Sequence, residues 1–390
     1  MRKKILMLIE CDFPPDIRVE KEINTLYKGG YEIHVLSFSY NNRPKKEITE
    51  KYTVYRKEIS TLRKKTSVGC LLFPFYFNFW SSFIEQVSKT NSFDAIHVHD
   101  LPLAKVGKKW ANKLNIPFVL DLHENWPAML RTAIHTNTPL GKMLSWNWLW
   151  DKYEAEMVSK ADAVITVVEE MKNRVSHSFN DKDKFSVYQN VPEFTEDDHL
   201  YKNPKNDLNL IYLGGLDIER GLQTVIEAIS IIPKEENITL TIIGFGTYLN
   251  ELKQLTLDLE IEDRITFLGK LPQEEALQKI KEYHIAIVPH HRSVQSDNSS
   301  PNKLFQYMMK KLPIICSDCS SLVRVIKDSN CGYIYESRSV IELVELLKKI
   351  NSNKVLLATY SKNAYHAASS KYNSEIESKH LLAAYEKLKI

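Results

Sequence analysis

Cysteine is scarce and unpatterned in this chain: five residues, an odd number without framework spacing, exclude a disulfide scaffold and imply a reducing compartment. Cys316 and Cys319 form a C-x-x-C, but zinc or redox work would need a second ligand pair or a thioredoxin-like setting. The apolar run beside them reads instead as a strand and its following loop. The amino-terminal run does not read as a signal peptide. Arg2, Lys3 and Lys4 precede an apolar run that Glu10 and Asp12 end after a few residues, which suits a first strand. No large charge excess is present: a formal net charge of +3 and a pI of about 8.3 exclude a dedicated nucleic-acid binder and leave a local basic face open. No Asp-x-Asp stands in the carboxylate pattern usual for a divalent ion, and long charged tracts and low-complexity segments are absent.

What is present is one theme stated twice. Aliphatic and β-branched runs at Ile5–Ile9, Ile33–Phe38, Ala95–Val98, Phe118–Leu120, Ala163–Val168 and Ser186–Tyr188 alternate with helical patterns such as Arg18–Lys28 and Trp146–Lys160. A second series runs Leu210–Leu213, Leu240–Ile243, Ile265–Leu268, Ile285–Val288, Ile314–Cys316 and Gly332–Tyr335. Such alternation predicts βαβ units and parallel sheets. Between the series, Val191–Asn209 is rich in Pro, Asn, Asp and Lys and reads as a linker. At 390 residues there is chain enough for two domains, each with its own core. The expectation is an α/β chain of two doubly wound domains whose ligands lie at strand C-termini.

The segment Ser299-Ser300-Pro301-Asn302-Lys303-Leu304-Phe305-Gln306-Tyr307-Met308 reads as a helix start built for an anion. Ser300 suits an N-cap and Pro301 the first turn. Lys303 in that turn opposes the helix dipole, so its place makes sense if a bound anion is shared by the lysine and free backbone N–H groups. The plain alternative is a solvated lysine on an ordinary helix. This segment resembles the donor-binding motif of family-four retaining glycosyltransferases of the GT-B fold, of the bacterial polysaccharide type. The motif pairs two glutamates across seven intervening residues; Asn298 and Gln306 stand at those positions here, both amides. In the family the second position holds the donor ribose, which a glutamine accepts more weakly than a carboxylate.

Three more stretches carry the resemblance. Ile211-Tyr212-Leu213-Gly214-Gly215-Leu216, followed by Glu219-Arg220-Gly221-Leu222, is a strand leading through glycines to a helix. The family commonly has a lysine at the Arg220 position and often an arginine at the Gly215 position, so here Arg220 is the remaining cation for the donor diphosphate. Ile243-Gly244-Phe245-Gly246 would border the donor pocket, and the backbone around Lys270 and Leu271 would meet the base. Val119-Leu120-Asp121-Leu122-His123-Glu124 is similar to the family's Asp-x-His-Glu segment, and His97-Val98-His99-Asp100 to its His-x-His-Asp strand end. The alternation puts both imidazoles of the latter on one strand face, a geometry a metal could use, but the resembled family needs no divalent ion.

The resemblance implies residues 1–190 as the acceptor-side domain, 191–373 as the donor-binding domain, and 374–390 as a helix crossing back to the first, the two domains facing a cleft. It implies His123, Arg220 and Lys303 as catalytic residues, and Gly214, Gly215, Gly244, Gly246, Lys270, Leu271, Asn298, Ser299, Ser300, Pro301 and Gln306 as donor contacts. On the acceptor side stand Arg18, Asp100 and Glu124. Prolines replace the usual glycines in Phe13-Pro14-Pro15-Asp16, so Arg18 is a better phosphate contact than the loop backbone. The implied reaction takes a sugar from a UDP- or GDP-sugar to a sugar or lipid-linked acceptor, with no separate cofactor, metal or nucleic acid, in a cytoplasmic protein. A nucleotide-sugar epimerase of the same fold and a non-catalytic nucleotide-sugar-binding partner stay open. So does membrane contact: Arg63-Lys64-Lys65 precedes the aromatic run Val68–Trp80, too short to span a bilayer, which reads either as a peripheral membrane face or as a buried helix.

Overall fold

The computed structural model describes the chain except residues 1, 41–42, 68, 133–145 and 389, and except the side chains at 65, 132 and 147. Val68 and the Lys65 side chain, both in the stretch read above as membrane-facing or buried, thus lie outside the described residues. The chain divides into two compact units, Met1–Gln189 with Glu377–Ile390, and Asn190–Ile376.

The first unit holds eight strands among its described residues: β1 (Lys4–Ile9), β2 (Glu32–Ser39), β3 (Lys46–Ile48), β4 (Tyr52–Glu58), β5 (Ala95–His99), β6 (Phe118–Leu122), β7 (Ala163–Thr166) and β8 (Phe185–Val187). They lie in the order β3-β4-β2-β1-β5-β6-β7-β8, parallel except where β3 pairs antiparallel with β4. Parallel strands covered by helices on both faces must be apolar on both faces. In β1, Leu6 and Leu8 join the core on one side of the sheet, while Ile5, Met7 and Ile9 join the other. Each such buried side chain contributes about 2 kcal/mol. No strand was expected between Phe38 and Ala95. The run Tyr52–Glu58 escapes the pattern because Arg56 sits buried in it, its Nε donating to Phe13 O at 3.0 Å and its Nη2 meeting Glu47 at 2.8 Å.

The second unit has β9 (Leu208–Leu213), β10 (Ile238–Ile243), β11 (Ile265–Gly269), β12 (Ile285–Val288), β13 (Ile314–Ser317) and β14 (Gly332–Tyr335), in the order β11-β10-β9-β12-β13-β14 and parallel throughout. The last two residues of the expected linker, Leu208 and Asn209, already belong to β9. All five cysteines are free thiols, and Cys316 and Cys319 lie buried in and just after β13. The aromatic run resolves into turns through Gly69–Pro74 and a helix Phe75–Ser88, which buries Tyr76, Phe77, Phe79 and Trp80 and leaves Phe73 and Phe75 exposed. Among the described residues no helix is long and apolar enough to cross a membrane.

Both sheets reverse their winding beside a central strand. β1 has β2 on one side and β5 on the other; β9 has β10 and β12. At such a switch point the following loops diverge and leave a crevice at the strand C-termini, where α/β sheets bind ligands.

Candidate functional site

In the second unit the crevice at the ends of β9 and β12 collects the residues singled out in the sequence. Tyr212, near the end of β9, donates its hydroxyl proton to Gly215 O at 2.7 Å, and Leu213 N donates to Tyr307 Oη, also at 2.7 Å. The second bond pins the helix Asn302–Met309 to the strand end. Lys303, on that helix, lays its Nζ 3.7 Å from the centre of the Tyr212 ring. On the other side the chain passes through Arg220 and Gly221. At position 221 φ is +71° and an added Cβ would stand 1.9 Å from Pro289 O, so only glycine lets this turn press against the end of β12. That pressure brings Arg220 Nη1 to 3.5 Å from His290 Nε2, to which it donates.

Positive charge outweighs negative in this crevice. Burial, then repulsion from Arg220, holds the Lys303 ammonium well below its usual range, against a weaker pull from Asp217. Burial together with Lys303, Arg220 and His291 keeps His290 well below the ordinary imidazole value. Arg220 itself is partly exposed and has Asp217 at 4.0 Å. Lys303 Nζ, Ser300 Oγ, Asn302 Oδ1 and Asn298 Oδ1 are buried without a hydrogen-bond partner among the described residues. Unpartnered polar atoms of this kind are costly, and they converge here beside a helix N-terminus.

One local expectation changes. The helix begins at Asn302, with Pro301 as the N-cap in extended conformation, so Ser300 does not cap it. Pro301 keeps φ −74° but takes ψ 136°, outside the helical region, so the first helical residue is the one after it. Lys303 is only 8% exposed, so the plain alternative of a solvated lysine falls. The remaining donor-side residues line the same end of the sheet. Gly214 N donates to Ile243 O at 2.9 Å and Gly244 N to Gly269 O at 2.8 Å, stacking the glycine loops that include Gly215 and Gly246. Lys270 is exposed, its Nζ 4.9 Å from the Phe245 ring centre, while Leu271 packs on the core. Ser299 O accepts from Ser321 Oγ, and Asn298 Nδ2 donates to Val294 O at 2.8 Å. The Gln306 side chain is partly exposed.

In the first unit the ends of β5 and β6 carry a second group. Strand alternation stacks His97 on His99 with centroids 4.3 Å apart. Asp121, paired in register with His99, accepts from His123 Nε2 at 2.8 Å and from Arg18 Nη2 at 2.9 Å. Glu22 lies 3.0 Å from Arg18 Nε, and Tyr385 Oη lies 2.6 Å from His97 Nδ1. Asp100 Oδ1 accepts from His123 N at 3.0 Å, and Glu124 is partly exposed in the next turn. Burial lowers the His123 pKa, but Asp100 and Asp121 outweigh it and raise it to about 9. Burial and the Asp121 charge lift Glu22 well above the carboxylate range; against a burial penalty, Arg18 and His123 hold Asp121 well below it.

Arg18 is therefore committed to Asp121, Glu22 and the Tyr188 carbonyl, which it reaches at 2.8 Å, and is not the free phosphate contact that the sequence suggested. Glu22, His99, Asp121 and His123 hold ligand atoms within 4.8 Å of one another, a grouping able to take a metal ion. Around this grouping burial raises Glu22 and Asp100 and lowers His97 and His99, while the neighbouring carboxylates raise His123. Sequence reasoning missed Glu22, Tyr385 and His290. Glu22 reads as one more helix-surface acid, and Tyr385 meets His97 from 288 residues away. His290 had a signal, its place at the end of an apolar strand at the switch point.

Two family models match end to end: Glycosyltransferase Family 4 over residues 18–191 and Glycosyl transferases group 1 over residues 193–367. The chain belongs to the family-four glycosyltransferases of the GT-B fold. It is 27% identical over 251 residues to an uncharacterized glycosyltransferase of Methanocaldococcus jannaschii, covering 62% of this chain and 63% of that protein. To the amylovoran biosynthesis glycosyltransferase of Erwinia amylovora it is 24% identical over 183 residues, 46% of this chain and 45% of the other. These alignments thus span less than two thirds of either relative. The solved structure of HepE from Anabaena in complex with UDP superposes with a TM-score of 0.68 at 15% identity, covering 96% of this chain and 97% of that one, a likeness of fold.

Proposed function

We propose that this glycosyltransferase moves a sugar from a nucleotide diphosphate donor, UDP- or GDP-linked, to an acceptor hydroxyl with retention at the anomeric carbon and without a divalent metal. The observation that carries the reading is the buried, unpartnered Lys303 side chain, within reach of the Arg220 charge, at the start of the helix Asn302–Met309. As the sugar departs, negative charge grows on the nucleotide diphosphate, and fixed cations with free N–H groups stabilise it more in the transition state than in the ground state. The UDP named in the HepE complex supports a nucleotide donor. Gln306 would hold the ribose, with the base near Lys270 and Leu271. His123 would orient sugar or acceptor, held by Asp100 and Asp121. The amylovoran relative supports a polysaccharide or glycoconjugate product.

Exposed Phe73 and Phe75, with Leu62 exposed beside Arg63 and Lys64, support a peripheral resting place on an anionic membrane carrying a lipid-linked acceptor. The amides at Asn298 and Gln306 favour one rival, a partner that binds donor without turning it over. A thermal-shift screen of UDP- and GDP-sugars, followed by product analysis with and without acceptor, separates these readings. Transfer only with acceptor supports the proposal, conversion of the donor alone an epimerase, and binding without turnover across acceptor extracts the rival. No shift with any nucleotide sugar would sink all three.

A further inference from the structure

We propose that Lys303 rests as a neutral amine in the free protein and takes up a proton when a nucleotide diphosphate binds, so that the anion arrives with its counter-charge. The inference rests on the donor-site reading above and concerns the charge state of that site.

The geometry carries it. An ammonium brings three N–H donors and a full charge, and burying it without acceptors or a counter-ion costs several kcal/mol, so the group gives up its proton instead. Lys303 Nζ is buried and has no hydrogen-bond partner among the described residues. The groups that face it come from every neighbouring element. From β9 comes the Tyr212 ring, and from the next loop Gly214, where φ is +140° and an added Cβ would stand 2.7 Å from Nζ. From the turn before Gly221 come Arg220 and Asp217; from the end of β12 comes His290, whose Nε2 already accepts from Arg220. Its own lead-in supplies only the neutral Asn298, Ser300 and Asn302. Asp217 is the single acid among these; it is half exposed and lies 4.0 Å from Arg220. Burial and the Arg220 charge press Lys303 in the same direction. A face of the Tyr212 ring favours the charged form, but it supplies no counter-ion and no lone-pair acceptors for the three N–H groups, so the buried charge stays uncompensated.

A bound diphosphate reverses each term. Its oxygens supply acceptors and its charge supplies the counter-ion, so the amine gains a proton from solvent: one N–H bond forms on Nζ, and buffer loses the proton. Where the free amine and the bound ammonium coexist with pH, affinity falls about tenfold for each unit of rising pH.

The test is calorimetric titration of the whole chain with UDP and with GDP at pH 8, in buffers of different ionisation enthalpy that are not themselves phosphates. At that pH the free nucleotide phosphates are fully ionised, having a last pKa of about 6, and do not contribute. Uptake of about one proton per nucleotide is expected for the wild type. Lys303→Arg should bind with uptake abolished, because a guanidinium is charged throughout. His290→Gln should keep the uptake. Binding by the wild type with no uptake would overturn the inference, whatever the variants do; so would uptake that persists in Lys303→Arg. If neither nucleotide binds, the donor-site reading itself fails and takes this inference with it.

Discussion

Arg220 and Lys303 bear on the same anion from different surroundings, and the difference sets what their loss should do. Arg220 is partly exposed, with its nearest acid at 4.0 Å, so Arg220→Ala should leave the melting temperature nearly unchanged. Its kcat should nevertheless fall on the order of tenfold to a thousandfold, the range for deleting one electrostatic stabiliser. Lys303→Ala should cost as much, and the double variant less than the product of the two, since both act on one diphosphate. Steady-state rates near wild type for both single variants would end the anion-site reading. Gln306→Glu is expected to keep or tighten donor binding, because a carboxylate accepts ribose hydroxyls more strongly. A large loss with the fold intact would show that the amide donates an essential bond. His123 carries a pH signature. Its pKa is raised to about 9 by Asp100 and Asp121, above its unfolded value of about 6.5. Its contribution to stability is thus complete below pH 6.5 and is lost as pH rises through 9. Melting temperatures from pH 6 to 10 should decline more steeply for wild type than for His123→Gln; parallel curves would refute this.

At the scale of elements, most of the fold was legible and part of the site was not, for one reason. A strand buried on both faces announces itself as a continuous apolar run, which is why β1, β5, β6, β12 and β13 could be read directly. Tyr52–Glu58 could not, because a buried arginine interrupts it and finds its partners only in the folded chain. The helix start at Asn302 was misplaced by one proline, since Ser300 fits the composition of a cap and only backbone geometry shows that it precedes one. The glycine loops and Lys303 could be located from spacing, whereas the buried state of Lys303 depends on Tyr212, which no local pattern connects to it. Capping is sharper at the helix Ile17–Lys28. Asp16 accepts from Arg18 N and Val19 N, both at 3.1 Å, so Asp16→Ala should cost about 1 kcal/mol of stability. Chemical denaturation reads it, and an unchanged midpoint would mean that the cap is dispensable.

For the molecule as a whole, charge bookkeeping decides how it should respond to chelators. In the proposed reading Arg220 and Lys303 take the part of counter-charge to the donor diphosphate that a divalent ion would otherwise fill. Transfer is therefore expected to survive exhaustive chelation, and loss of turnover restored by magnesium or manganese would remove Arg220 and Lys303 as the main counter-charges. The division of the chain has a consequence for its synthesis. The first unit is made of Met1–Gln189 and Glu377–Ile390, and the late segment supplies Leu381 and Tyr385 to its core and the hydroxyl on His97. Domains usually fold in order as they leave the ribosome. Here the half that emerges first lacks the hydroxyl that meets His97 until the other half has been translated, whereas the residues of the later unit are contiguous.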